Sequence, residues 1–466
     1  MVMKKALVVS MVATALGTSV VSAVSAAPAV KPVSNAAQIQ HSTFTINGST
    51  ITIRSIVKNG ETLVSLRDVT KAIGAQTEVH NGTTTIKLNE HTVQLEQNSK
   101  QFVVDGTTTN LTQPVALIGG TSYVALRPLI AGVGGTLVKR AGVLEISTIP
   151  LLAEAESPRF AGTDKLIVSK NDDKGRSDYL VNATNGKYEL LFTTDGGSDL
   201  VISPNGDRAV YTNAEGAVYT IDLNTQNSKL ITSDNSIKSD LVWAADGSAI
   251  YFLQGEKGSV IAKLKLADGA ITKLVEDKVD YKENLNVSAD GKKFVYTVTS
   301  LSKVTSDSTN VDEDNVSIDF SSDQQQIYSY NIGDSKPEAV KLTTTTDDKL
   351  FVWSADGQKA YYVSVPSTEG KATLMSVDSS QKVSFVYADY DVEQVILSNG
   401  KLVVLAAQDD NNSVIYSIDT ITGNQTKLFT VSSNVSSIAV VGSQIAVVEN
   451  GQVLVSSGQG WRAVTK

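Results

Sequence analysis

The residue types able to do chemistry in this chain are few and unevenly placed. There is no cysteine among 466 residues, which excludes disulfides, thiol nucleophiles and zinc–thiolate sites. His41, His80 and His91 are the only histidines, and none forms a His-x-His pair. His80 precedes Asn81-Gly82 and reads as a turn residue, and His91 falls in a polar strand pattern. Beyond residue 91 there is no histidine for a Ser-His-Asp triad or an imidazole-held metal. No G-x-S-x-G nucleophile elbow occurs, and Gly132-Val133-Gly134-Gly135 follows a helix pattern, the wrong context for a phosphate loop. Carboxylates remain, since glycosidases and lyases work with Asp and Glu, but no spacing singles out a pair. No catalytic residue is therefore predicted. The densest acidic run is Asp312, Glu313, Asp314 and Asn315 with Asp319 nearby, taken here as a candidate binding loop, with a plain solvated loop as the alternative. Like Asn171-Asp172-Asp173 and Asp409-Asp410-Asn411-Asn412, it lacks the D-x-[DN]-x-[DN]-G spacing of a calcium loop. No cofactor is expected, a surface calcium ion being the one alternative.

The formal net charge is −9 with no basic cluster, so nucleic acid is not an expected partner. Lys4 and Lys5, the apolar stretch from Ala6 to about Val24, and small residues at Ser25, Ala26 and Ala27 form a signal-peptide pattern, with cleavage expected after Ala26. Thr14, Gly17, Thr18, Ser19 and Ser22 interrupt the stretch, which argues against a membrane anchor of roughly 20 apolar residues. Without a cysteine there is no lipidated cleavage point, so the mature chain is expected to be secreted, extracellular or wall-associated, with no membrane span. Residues 27–40, rich in Ala, Val, Pro, Ser and Gln, read as a linker.

Two elements recur between residues 41 and 150. Glu61-Thr62-Leu63-Val64-Ser65-Leu66-Arg67 leads into Asp68–Gly74, and Thr121-Ser122-Tyr123-Val124-Ala125-Leu126-Arg127 leads into Pro128–Gly134. Each copy predicts a strand ending in Leu-Arg, a two-turn helix and a glycine for a left-handed helix end, seven residues after the arginine. Strands are expected next at Thr84–Leu88 and Val143–Ile146, and Asn47-Gly48 marks a hairpin. With its paired V-x-L-R strands and Gly74 and Gly134, this segment resembles the copper amine oxidase N-terminal-like domain, a stalk module of secreted Gram-positive proteins. The resemblance implies a small α+β domain with a display role. It implies no oxidase chemistry, which belongs to a separate catalytic domain.

A longer period occupies residues 151–466. Aligned on Asp164, Gly206, Gly247, Gly291, Gly357, Gly400 and Gly442, seven copies are spaced by 42, 41, 44, 66, 43 and 42 residues. About 40–50 residues make one four-stranded blade, so the period predicts a β-propeller. Seven blades are expected, with six or eight as alternatives, and Ile149–Ala153 could add a strand to the last. The S-x-D-G-x-x-x-x-Y signature, as at Ser288 to Tyr296, resembles TolB-type repeats, also found in the propellers of prolyl-oligopeptidase-like enzymes. Trp243 and Trp353, at matching places before the turn, read as blade-packing residues rather than ligand platforms. The 66-residue interval places the acidic run in an insertion at 301–325, and loops carry function more often than scaffold does.

The fold class expected is mainly β: a small α+β stalk domain followed by a β-propeller. The function expected is non-catalytic surface binding, with protein, wall polymer or glycan as partner. The alternative is a glycosidase or lyase with carboxylates in the propeller channel.

Overall fold

A computed structural model describes residues 38–466 apart from 141, 174, 195, 301–302, 307–315, 320–324 and 459. The signal-peptide pattern at 1–26, the linker to residue 37, and Asp312, Glu313, Asp314 and Asn315 lie outside the described residues.

In the small domain a seven-stranded sheet runs in the order Thr136–Arg140, Val143–Ser147, Gln40–Ile46, Ser49–Lys58, Glu61–Ser65, Thr121–Ala125, Ala116–Ile118. The two repeated strands pair with each other, Val64 opposite Val124, so the sequence duplication is an internal symmetry about one ladder. Each repeat then turns into a helix, Leu66–Ile73 or Leu126–Gly132. The expected strand end at Leu-Arg is corrected here: the strands stop at Ser65 and Ala125, and the arginines are helical. In the first copy the reason is a cap, because the Ser65 hydroxyl accepts from the Asp68 N–H at 3.3 Å. Gly74 and Gly134, both at φ 74°, end the helical turns as the sequence predicts. A second, five-stranded sheet of consecutive hairpins fills residues 76–110. Ile86, Val93, Leu95 and Phe102 from that sheet share one core with Val69, Ile73, Leu129 and Ile130 of the helices.

Arg54 and Asp68 lock the first sheet to the first helix, with Nε–Oδ2 and Nη2–Oδ1 both at 2.7 Å. The Arg54 hydrogen bonds hold the Asp68 carboxyl at about 2, below its ordinary 3.8. A depressed carboxylate contributes stability above its unfolded value and loses it as pH falls through its folded value. The small domain is therefore expected to weaken between about pH 4 and pH 2. Asp68→Asn should lose about 1–2 kcal/mol at neutral pH, allowing for the exposed flank of Arg54, and flatten that acid slope. Urea unfolding at several pH values checks both.

Residues 156–463 form seven successive four-stranded antiparallel sheets, one for each sequence copy. The first strand of each sheet meets the first strands of its neighbours at six junctions, including the last sheet against the first, so these strands are innermost and the sheets form a ring. This is a β-propeller. Each sheet is one continuous stretch of chain. The last holds Val435–Val441, Gln444–Glu449, Gln452–Ser457 and Gly460–Ala463, and Leu152 joins its tail by a parallel bridge to Thr465 and by packing in the core with Val464 and Val455. The ring is closed by apolar packing of Leu166, Val168 and Val181 against Ala446, Val448 and Val455.

Three devices stabilise the blades. The Asp-Gly hairpins carry positive φ on glycine alone, at 69° for Gly247 and 68° for Gly291, whereas the sequence rule expects it on both central residues. The Gly247 N–H bonds to Ala244 O at 2.8 Å, which makes these four-residue turns capped by a left-handed glycine. Only Asn399-Gly400 among the aligned turns has both residues at positive φ, 48° and 71°. Six innermost strands carry a β-bulge, and Ser157, Asp240, Asn284 and Phe351 take positive φ there. The residue after the bulge then reaches the next innermost strand. Arg159 bonds Leu200 O at 3.4 Å, Asn286 bonds Val352 O at 3.1 Å, Trp353 bonds Val395 O at 2.9 Å and Gln394 bonds Ile438 O at 3.4 Å. Trp243 bonds back to Val201 O at 2.8 Å, so both tryptophans join blades.

The small domain meets the ring where the first and last sheets adjoin. A Cβ on Gly48 would stand 2.5 Å from Thr184 Cγ2, and Arg462 bridges to Glu145 at 3.5 Å while donating to Thr184 O at 2.9 Å. Among the described residues, no helix is long and apolar enough to cross a membrane.

Candidate functional site

Chain direction sorts the loops. An innermost strand runs from the connection between blades to the Asp-Gly turn, and the second strand returns. The connections between second and third strands therefore share a face with the connections between blades. That face gathers the Asn171-Asp172-Asp173 segment, the Asp409–Asn412 segment and the long insertion. Within the insertion, Lys303–Ser306 pairs antiparallel with Val316–Asp319, an added ribbon on the fourth blade. Asp319 lies at the end of that ribbon opposite Lys303. The structure thus places one of the five candidate loop residues, by backbone alone.

The innermost strands open on the same face with exposed positions at Glu156, Asp240, Glu283, Phe351, Glu393 and Ser436. Partial desolvation at this exposed position raises the Glu393 carboxyl from its ordinary value, with Asp391 adding repulsion, while Ser413 donates to it at 3.4 Å. On this face Asp409 accepts the Asn411 and Asn412 N–H groups, both at 2.9 Å, and on the opposite face backbone donors lower the Asp222 and Asp419 carboxyls. Among the described residues, no cluster of three or more His, Asp or Glu side chains could hold a metal ion. His91 bonds Asp105 at 2.8 Å within the small domain, well apart from this face in the chain.

Sequence reasoning missed a set of buried charges beneath the face. The Nζ of Lys238 donates to Gly216 O at 3.0 Å, Asp234 O at 2.7 Å, Ser236 O at 2.8 Å and Asp234 Oδ1 at 2.8 Å. Lys282 repeats this with Asp277 Oδ1 and Ser259 O, both at 2.8 Å, and Lys349 with Thr345 O at 3.0 Å and Asp347 Oδ1 at 3.2 Å. All three lysine side chains are fully buried. Each cage pins the connection between two blades to the start of the next innermost strand. In the first blade the buried Asp178 holds Arg159 at 2.7 Å and Arg176 at 3.1 Å. The only sequence signal was an Asp a few residues before a Lys at a strand start.

A cleft also opens on this face between the first two blades, lined by Phe192, Thr193, Tyr211, Asn213, Glu215 and Tyr219, with a volume of about 480 Å3. A smaller one of about 270 Å3 lies between the two domains around Glu145 and Arg462.

Comparison with known proteins accords with the description of the small domain. Residues 45–141 match the copper amine oxidase N-terminal domain family. No curated protein matches the chain. Among solved structures, the chain is similar to a Mycobacterium tuberculosis puromycin-hydrolyzing peptidase at 12% identity and TM-score 0.49, covering 67% of this chain and 52% of that one. It is similar to the β-propeller domain of the Trilobed protease from Pyrococcus furiosus at 14% identity and TM-score 0.46, covering 68% and 97%. It is also similar to TolB from Acinetobacter baumannii at 16% identity and TM-score 0.37, covering 77% and 79%. The chain thus spans about half the length of the peptidase. The propeller assignment itself rests on the seven sheets of this chain.

Proposed function

We propose that this is a secreted, non-catalytic binding protein of the cell surface, in which the small domain displays the propeller and the connection face takes up a protein or a wall polysaccharide. One observation carries the reading: the open ends of the innermost strands, the acid-rich connections and the ribbon of the insertion all emerge on one face. Rigid blades that present long connections on one side are a common basis for recognition. The engagement of Asp409 by its own turn on this face also favours binding over carboxylate catalysis. The test is retention of residues 27–466 on arrayed wall polymers, glycans and surface proteins, scored together with product release.

Export is part of the proposal. N-terminal sequencing of the protein recovered from the culture medium or wall fraction should begin at Ala27. Recovery of an intact Met1 from a cell-bound form would contradict it.

Glu393 favours the second reading, a glycosidase or lyase, because a carboxyl raised by desolvation is the kind of group that serves as a general acid. That reading expects polymer turnover that Glu393→Gln abolishes with binding intact.

A further inference from the structure

We infer that the cleft between the first two blades binds a neutral, β-linked, gluco-configured saccharide, with Tyr219 as its stacking platform. This rests on the binding-face reading above and adds to it a ligand class and a place. The cleft volume of about 480 Å3 falls in the range of small-ligand sites, about 300–1,000 Å3. Its floor is Tyr211, 5% exposed. The Phe192 ring lies 4.3 Å from it at a tilt of 49°, and the Tyr219 ring lies 5.4 Å away and nearly parallel at 13°. Phe192 and Tyr219 are only half-buried, so part of each ring is left open.

The fourth blade supplies the contrast. Tyr296 and Tyr328 occupy the same paired positions there, stacked at 6.2 Å and 8°. Tyr296 is wholly buried and belongs to the apolar core of that blade. Both tyrosine pairs belong to the apolar packing of their blades, and the second-blade pair in addition lines an open cleft. Around the second-blade pair the rim carries the Thr193 hydroxyl and the Glu215 carboxylate, with the Asn213 amide held between Glu215 and the Ala217 N–H.

That combination selects a sugar. A pyranose with equatorial substituents presents a flat C–H face edged with hydroxyls, and β-linkage keeps successive faces flat. An aromatic ring covers the face, and amide, carboxylate and hydroxyl groups take the edge. Charge decides between neutral and anionic polymers. Glu215 is exposed at the rim and the chain carries a net charge of −9, so an anionic polymer is repelled. The cleft also opens on the connection face, since Asn213 to Ala217 joins the second and third strands.

The test is calorimetric or fluorescence titration of the full mature chain with cellohexaose, the hexamer of N-acetylglucosamine and polygalacturonate. Tyr219→Leu and Tyr219→Phe are compared with wild type, their folding checked by circular dichroism. The expected result is binding of a neutral oligosaccharide, weakened about tenfold or more by Tyr219→Leu and kept by Tyr219→Phe. Neutral-saccharide binding that Tyr219→Leu leaves unchanged would overturn the inference, as would a preference for polygalacturonate. Retention of a protein partner with no saccharide binding would overturn it while the binding-face reading stands. Retention of nothing on the array would overturn both.

Discussion

Replacing Asp178 with alanine is expected to cost the propeller about 3–5 kcal/mol, the effect of removing one member of a buried charge cluster. The Asp178 carboxylate is fully buried and receives Arg159 Nη2 at 2.7 Å, the Ser169 hydroxyl at 2.6 Å and Arg176 Nε at 3.1 Å. Both guanidinium groups continue to the second blade, Arg176 to Ser198 O at 2.8 Å and Asp199 at 2.5 Å, and Arg159 to Leu200 O at 3.4 Å. Without the carboxylate, two largely buried cations lose their shared acceptor and the junction of the first two blades loosens. Asp178→Asn, which keeps an acceptor of the same shape, should lose less. Urea unfolding of the three proteins decides it, and a loss below about 1 kcal/mol for the alanine variant would show that the cluster is not what joins these blades.

Lys282→Met is expected to be nearly as damaging, again by about 3–5 kcal/mol. Burial pushes the Lys282 and Lys349 amines below their ordinary value, while Asp277 and Asp347 act in the opposite direction. A base whose folded value is depressed opposes folding while it is charged, and that cost fades as pH rises from the folded value toward 10.5. The lysine is thus held by its cage at a net desolvation cost, and its removal is harmful because Asp277 is left charged and buried. A double variant, Lys282→Met with Asp277→Leu, should therefore recover most of the loss. If the single variant is as stable as wild type, or the double variant no better than the single, the cages do not hold the blade connections as described.

The propeller was legible in the sequence because its repeat is punctuated by a residue with a conformational requirement. Gly206, Gly247, Gly291, Gly357 and Gly400 all take φ between 68° and 71°, and such positions favour glycine at a fixed place in each blade. The doubled strand and helix of the small domain was legible for the same reason, through Gly74 and Gly134. The five-stranded sheet at 76–110 was largely missed, with only Thr84–Leu88 and a strand at His91 anticipated, because strands such as Gln76–His80 and Thr107–Asn110 are short, polar and exposed. The lysine cages were missed because burial of a charge is a tertiary fact. Their Asp-to-Lys spacings differ between Asp234–Lys238, Asp277–Lys282 and Asp347–Lys349. The candidate loop was found from an irregular interval, and the structure adds that its ribbon shares a face with the innermost strand ends. Tyr211 and Tyr219 appeared in the repeat pattern as ordinary strand residues, and only the gap beside Phe192 distinguishes them.

The central claim is that the connection face binds and does not turn over its ligand. The most direct measurement is retention of residues 27–466 on arrayed wall polymers, glycans and surface proteins, with product release followed in the same wells. A parallel variant replaces 301–324 by a short glycine turn between Thr299 and Gln325, which already pair. Specific retention without product, lost or weakened about tenfold or more in the ribbon variant, is the predicted result. Product release abolished by Glu393→Gln would contradict the claim and make that carboxyl the site of an enzyme.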